Sequence, residues 1–163
     1  MKRDRIFPHI LKSKSVRVIA AIFLLINIIW LINWWPYHQD ISGYTKAIYG
    51  YYRDVEDYTC TVFPPSYLRF VGNYSVSNED KMTLIIWPRT ILRRNTEYGV
   101  KMLADDGFIY EFYIDRNLEY VQCVEMKYLH EEEEYIRKQL RERGGDLRRM
   151  FSIAEQEWGA GIQ

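Results

Sequence analysis

The sequence predicts an α+β protein: a single N-terminal transmembrane helix, then a small exported domain whose antiparallel β-meander packs against helices. Three observations carry this. Val18 to Trp35 is an apolar block broken only by Asn27 and Asn33. From Thr59 to Val124, β-branched and aromatic residues alternate with a period of two, and beyond His130 a helical period returns. The organisation that follows is a basic cytoplasmic tail over 1–17, a transmembrane signal-anchor helix over 18–35 and an extracytoplasmic domain over 36–163.

Eighteen helical residues rise about 27 Å, close to the ~30 Å hydrocarbon core of a bilayer. Lys2, Arg3, Arg5, Lys12, Lys14 and Arg17 precede the block and Lys46 is the first basic residue after it, which places the N-terminus in the cytoplasm. Trp30, Trp34 and Trp35 suit the far headgroup layer, and Pro36 is expected to stop the helix. No small-x-small cleavage site follows, so the segment reads as a retained anchor in the cell membrane. Asn27 shares a stripe with Ala20, Leu24 and Leu31 and is the candidate for a hydrogen bond to a partner transmembrane helix.

Residues 1–35 carry six basic side chains and one acidic, against 16 and 21 in the rest. The mildly acidic outer domain excludes a nucleic-acid partner, which needs a basic face. Its 128 residues suffice for one domain with a real core. Cys60 and Cys123, the two cysteines, both lie beyond the anchor, where a disulfide between them would close a long loop.

Ile41, Tyr44, Ile48, Tyr51, Val55 and Tyr58 are spaced by three and four and predict a helix after Asp40. That pattern would cover the sheet or zip two copies into a homodimer, although Gly50 interrupts it. Strands are predicted at Thr59–Phe63, Tyr67–Ser77, Met82–Trp87, Tyr98–Ala104, Phe108–Ile114 and Leu118–Val124. A three-residue loop at Asp105-Asp106-Gly107 pairs Met102 with Tyr110 and Val100 with Phe112 on one apolar face, and Lys101 with Glu111 on the other. The next turn is expected to set Phe112 opposite Tyr120 and Ile114 opposite Leu118. After the glutamate run 131–134, Gly144-Gly145 divides two helices, with Asp146 capping the second and Leu147, Met150, Phe151, Ala154 and Trp158 on its buried face.

No catalytic or metal signature in the sequence is complete. His130 with Glu133 and Glu134 falls short of a ligand set, and a glutamate-rich first helical turn explains the run. There is no G-x-S-x-G, H-E-x-x-H or phosphate-binding glycine loop. Glu111 with Asp105 or Glu119 is the remaining carboxylate set, but pairing with Lys101 accounts for Glu111. Arg89, Arg93 and Arg94 form a basic contact patch suited to phosphate or an acidic partner.

The stretch Tyr98 to Val121, with its Asp106-Gly107 hairpin and aromatic alternation, resembles the hairpin of PepSY-type exported domains, which set a helix on a small antiparallel sheet. The likeness covers under a sixth of the chain and brings no activity with it. The expectation is therefore a non-enzymatic, membrane-tethered module without cofactor or metal, an adaptor, inhibitor or sensor of another envelope protein. Two alternatives are a small-ligand or peptide receptor with an aromatic-lined face, and a carboxylate-dependent envelope hydrolase.

Overall fold

The computed structural model describes residues 14–91, 93–123 and 130–159, apart from the side chains of His130 and Glu131. Its elements are helix α1 (Lys14–Asp40), eight strands and two C-terminal helices. The strands are β1 (Thr45–Lys46), β2 (Tyr51–Val55), β3 (Tyr58–Phe63), β4 (Asn73–Asn78), β5 (Thr83–Trp87), β6 (Glu97–Leu103), β7 (Ile109–Ile114) and β8 (Tyr120–Cys123). The helices are α2 (His130–Glu142) and α3 (Gly144–Trp158). All eight strands form one antiparallel sheet in sequence order.

Alternation along the strands sends one set of apolar side chains to a single face. Val62, Tyr74, Ile86, Tyr98 and Ile114 align across five strands, and Cys60, Val76, Leu84, Val100 and Phe112 form the next row. All ten are buried. Helix α3 seals this face with Leu147, Met150, Ile153, Ala154 and Trp158, and α2 adds Ile136 and Leu140. Aromatic rings interlock the layers, with Tyr74 on Trp158 at 4.8 Å and Tyr98 edge-on to Phe151 at 5.1 Å.

The β6–β7 hairpin follows the sequence expectation. The Ala104 N–H donates to the Phe108 carbonyl at 2.9 Å, Gly107 adopts φ +83°, and Lys101 faces Glu111. Asp105 pins this hairpin to α2: it accepts from Gln139 Nε2 at 3.0 Å and from Arg143 Nη2 at 3.0 Å. The Gln139 hydrogen bond, with Arg143 beside it, holds the Asp105 carboxyl below the ordinary aspartate range. A depressed folded value means that this contribution is present above the unfolded value of about 3.9 and lost as pH falls through the folded one. Wild type should therefore exceed Asp105→Asn in stability at neutral pH, with the gap closing below about pH 4 in denaturation curves across that range. A gap independent of pH would contradict the assignment.

The structure departs from the sequence pattern at several points. Helix α1 passes through Pro36 to Asp40, because burial of Tyr37 against the sheet outweighs the one backbone hydrogen bond that proline removes. The stripe from Ile41 to Tyr58 is no helix: a turn with Gly43 at φ +82° leads into β1, β2 and the start of β3. A spacing of four satisfies one face of a strand as well as a helix, which is how Tyr51 and Val55 come to share the core side. Gly50 closes the loop between β1 and β2, where a Cβ would lie 2.7 Å from the Val62 carbonyl oxygen. The segment before Asn73 is loop rather than strand.

Between β7 and β8 the register also differs, with Ile114 opposite Tyr120, Phe112 opposite Cys123 and a bulge between. Asp115 causes it by accepting the backbone N–H groups of Asn117 and Glu119, both at 2.9 Å, which keeps Leu118 out of the strand at φ +66°. The second C-terminal helix begins at Gly144 with Arg143 at the cap position, so Asp146 sits inside its first turn. Cys60 and Cys123, the possible disulfide pair, are on β3 and β8 with four strands between them, and both thiols are free in this structure. The end of the last predicted strand, Val124, lies outside the described residues.

Candidate functional site

The alternating connections leave two chemically different ends to the sheet. At the end where α1 arrives are the loops 47–50, 64–72, 88–96 and 115–119, and at the other are 56–57, 79–82 and 104–108. The first three loops of the α1 end carry Arg69, Arg89, Arg93 and Arg94 and no acidic residue. The opposite end carries Glu56, Asp57, Glu79, Asp80, Asp105 and Asp106 against Lys81.

Helix α1 joins the sheet without a flexible linker. Tyr37 is 1% exposed and stacks on Tyr74 at 4.9 Å, while Asp40 accepts the Tyr74 hydroxyl at 2.5 Å. Asn33, one turn earlier, is also buried. Loop 64–72 runs back along the helix, so that Tyr67 stacks on Trp30 at 4.5 Å and donates its hydroxyl to Asn27 Oδ1 at 3.1 Å. The Asn27 amide nitrogen donates to the Phe23 carbonyl at 2.7 Å. The residue expected to meet a partner helix thus has its hydrogen bonds within this chain. No apolar part of α1 upstream is buried, and the helix is long and apolar enough to cross a membrane.

Among the described residues no helix covers the sheet face opposite α2 and α3, although Ser75 and Gly99 within it are buried by neighbouring side chains. Tyr52, Thr61, Ser75, Ile85, Gly99 and Tyr113 form one row across it. Trp87 lies over Gly99, where a Cβ would come within 2.7 Å of the indole, and packs on Tyr113 at 5.3 Å. Arg93 caps the indole at 5.5 Å and pairs with Glu97 at 3.1 Å, so of the three patch arginines it is committed to the sheet. Arg89 and Arg94 remain with it in the 88–96 loop, as the sequence placed them.

A cleft of about 420 Å³ opens between the 115–119 loop and α3, where Arg116 and Arg148 face Tyr98, Leu118 and Phe151 and the acidic Glu155 also reaches the lining. Arg116 Nε donates to the Tyr98 hydroxyl at 3.0 Å. Leu118 is a bulky residue at positive φ, a conformation that costs about 1–2 kcal/mol. Neither the turn built by Asp115 nor this cleft was legible as a site, because Arg116 and Arg148 are 32 residues apart.

The carboxylates considered for hydrolysis are not brought together. Asp105 and Glu119 lie at opposite ends of the sheet, and Glu111 is on the outer face opposite Lys101. Cys60 is fully buried, and burial pushes its thiol up to about 12, so it stays protonated at neutral pH. Among the described residues no group of three His, Cys, Asp or Glu side chains is arranged to hold a metal, and the His130 side chain lies outside them. No family model, curated protein or solved structure matches the chain.

Proposed function

We propose that the chain is a membrane-tethered, extracytoplasmic interaction module that binds a neighbouring membrane or envelope protein and performs no catalysis. In this reading α1 spans the bilayer with its basic N-terminal end in the cytoplasm. The supporting observation is the weld at Tyr37: only four residues separate α1 from β1, and the helix end is part of the domain core. A domain mounted this way has a fixed height and direction. In this reading the outer face with Tyr52, Ile85, Trp87 and Tyr113, which no described helix covers, is the surface offered to neighbours.

The test is a photocrosslinking residue placed at Ile85 or Tyr113 in cells, with exposed Gln156 on α3 as the control. One dominant membrane-protein adduct from the outer face, absent from Gln156, is the expected result. Equal adducts from both faces, or none from either, would contradict the reading.

The cleft supports a second reading, a receptor for a small anionic ligand. Its volume falls in the range of about 300–1,000 Å³ usual for ligand sites, and Arg116 and Arg148 outnumber the one lining carboxylate, Glu155, beside the ring of Phe151.

A further inference from the structure

The end of the sheet that carries α1 has features that neither the anchor nor the outer face uses. Among the described residues outside α1, the most exposed large apolar side chains are Leu68 at 100%, Ile48 at 90% and Tyr49 at 85%. All three are in loops of this end, and Tyr67 and Ile91, also exposed, are their neighbours. Folding gains nothing from holding such groups in water. They are interleaved with Arg69, Arg89 and Arg94, and loops 47–50, 64–72 and 88–96 hold no acidic residue; the acidic side chains of this end, Asp115 and Glu119, are in the separate 115–119 loop beside Arg116. Apolar tips ringed by cations complement a phospholipid surface, whose phosphates lie just above its hydrocarbon.

We propose that loops 47–50, 64–72 and 88–96 form a second membrane contact, with Ile48, Tyr49 and Leu68 inserted into the outer headgroup layer and Arg69, Arg89 and Arg94 on lipid phosphates. This rests on the reading of α1 as membrane-spanning. Geometry within the chain supports lipid over a protein occupant. Loop 64–72 lies alongside the helix itself, fixed by the stacking of Tyr67 on Trp30 and its hydrogen bond to Asn27. Whatever surrounds that stretch of α1 therefore also surrounds the loop tip. Trp30, Trp34, Tyr67 and Tyr49 then make one interfacial aromatic belt. Its consequence is that the outer boundary of the hydrocarbon lies near Trp30 rather than beyond Trp35. The segment from Lys14 to Trp30 would rise only about 24 Å, so the inner end relies on Lys14 and Arg17 reaching outward to the inner headgroups.

The experiment uses the full chain in vesicles of three parts phosphatidylcholine to one part phosphatidylglycerol. Single cysteines replace Ile48, Leu68, Lys81 or Leu25 in a Cys123→Ser background, Cys60 being buried, and each carries an environment-sensitive fluorophore. Labels at Ile48 and Leu68 should shift to the blue and lose most of their intensity to doxyl-labelled lipid. The label at Lys81, at the acidic end, should stay water-like and unquenched. Added inorganic phosphate should leave the pattern unchanged, since the phosphates engaged are those of the lipid.

Blue-shifted labels at Ile48 and Leu68 that lipid does not quench would mean a protein covers this end, a second copy or a partner, and would overturn the proposal. Water-like labels there, with Leu25 still quenched, would overturn it while leaving the membrane-spanning reading intact. A water-like Leu25 would overturn both.

Discussion

Tyr37→Ala is expected to separate α1 from the sheet, and Tyr37→Phe to leave the two joined. The side chain is 1% exposed, stacked on Tyr74 and in contact range of Gly72, so truncation opens a ring-sized cavity at the junction. Losses for removing a buried aromatic ring run to about 3–5 kcal/mol. The hydroxyl is different: it is buried and has no hydrogen-bond partner in the structure. Removing it alone should be neutral or stabilising by up to about 1 kcal/mol, because an unsatisfied polar group is relieved. Denaturant unfolding in micelles, with limited proteolysis between Ile41 and Tyr44, reads both effects. Equal stability of the alanine and phenylalanine variants would mean that Tyr37 does not join the helix to the sheet.

Gly72→Ala should cost about 1–3 kcal/mol or more, in the manner of overpacked cores, although a single methyl is added. A Cβ at Gly72 would stand 2.4 Å from the Phe63 carbonyl oxygen, 2.7 Å from Cζ of Tyr37 and 2.9 Å from Cδ of Pro65. Backbone must move, and what moves is the base of loop 64–72. The variant should therefore lose the Trp30–Tyr67 stacking as well as stability, visible in near-ultraviolet circular dichroism. Gly145→Ala is the control, since nothing lies within 4 Å of a Cβ there and alanine in the first turn of α3 should stabilise by up to about 1 kcal/mol. Were both variants to behave alike, the close approach at Gly72 would be wrong.

The sheet was legible where local chemistry fixes pairing. Asp105-Asp106-Gly107 dictates a loop length, and loop length dictates which residues of β6 and β7 share a face, so Val100 and Phe112 could be placed together from sequence alone. The helix face of Leu147, Met150, Ala154 and Trp158 was readable because its period admits no strand. Failures cluster where two periods coincide or a tertiary contact overrides a local rule. Tyr51 and Val55 fit helix and strand equally, and only pairing with β3 decides. Pro36 is a helix breaker in isolation, yet Tyr37 gains its buried place only if the helix continues.

The site was less legible than the fold. Arg89, Arg93 and Arg94 announced a basic loop, but not that it shares an end with Ile48 and Leu68 while the turns 56–57, 79–82 and 104–108, with six acidic residues, occupy the other. That separation follows from the up-and-down order of all eight strands, which no short window of sequence contains. Asn27 invited a partner helix, whereas the hydrogen bond it receives comes from Tyr67, 40 positions along the chain.

In the proposed reading α1 and the sheet move as one rigid unit. The most direct measurement is the distance distribution between spin labels at Ile22→Cys in α1 and Lys101→Cys on the outer face, in a Cys123→Ser background and in lipid nanodiscs. A single narrow distribution, broadened by Tyr37→Ala and unchanged by Tyr37→Phe, is the predicted result. A broad distribution in the Tyr37-containing protein would mean that the domain swings freely on its helix, and the account of a fixed, membrane-facing module would be contradicted.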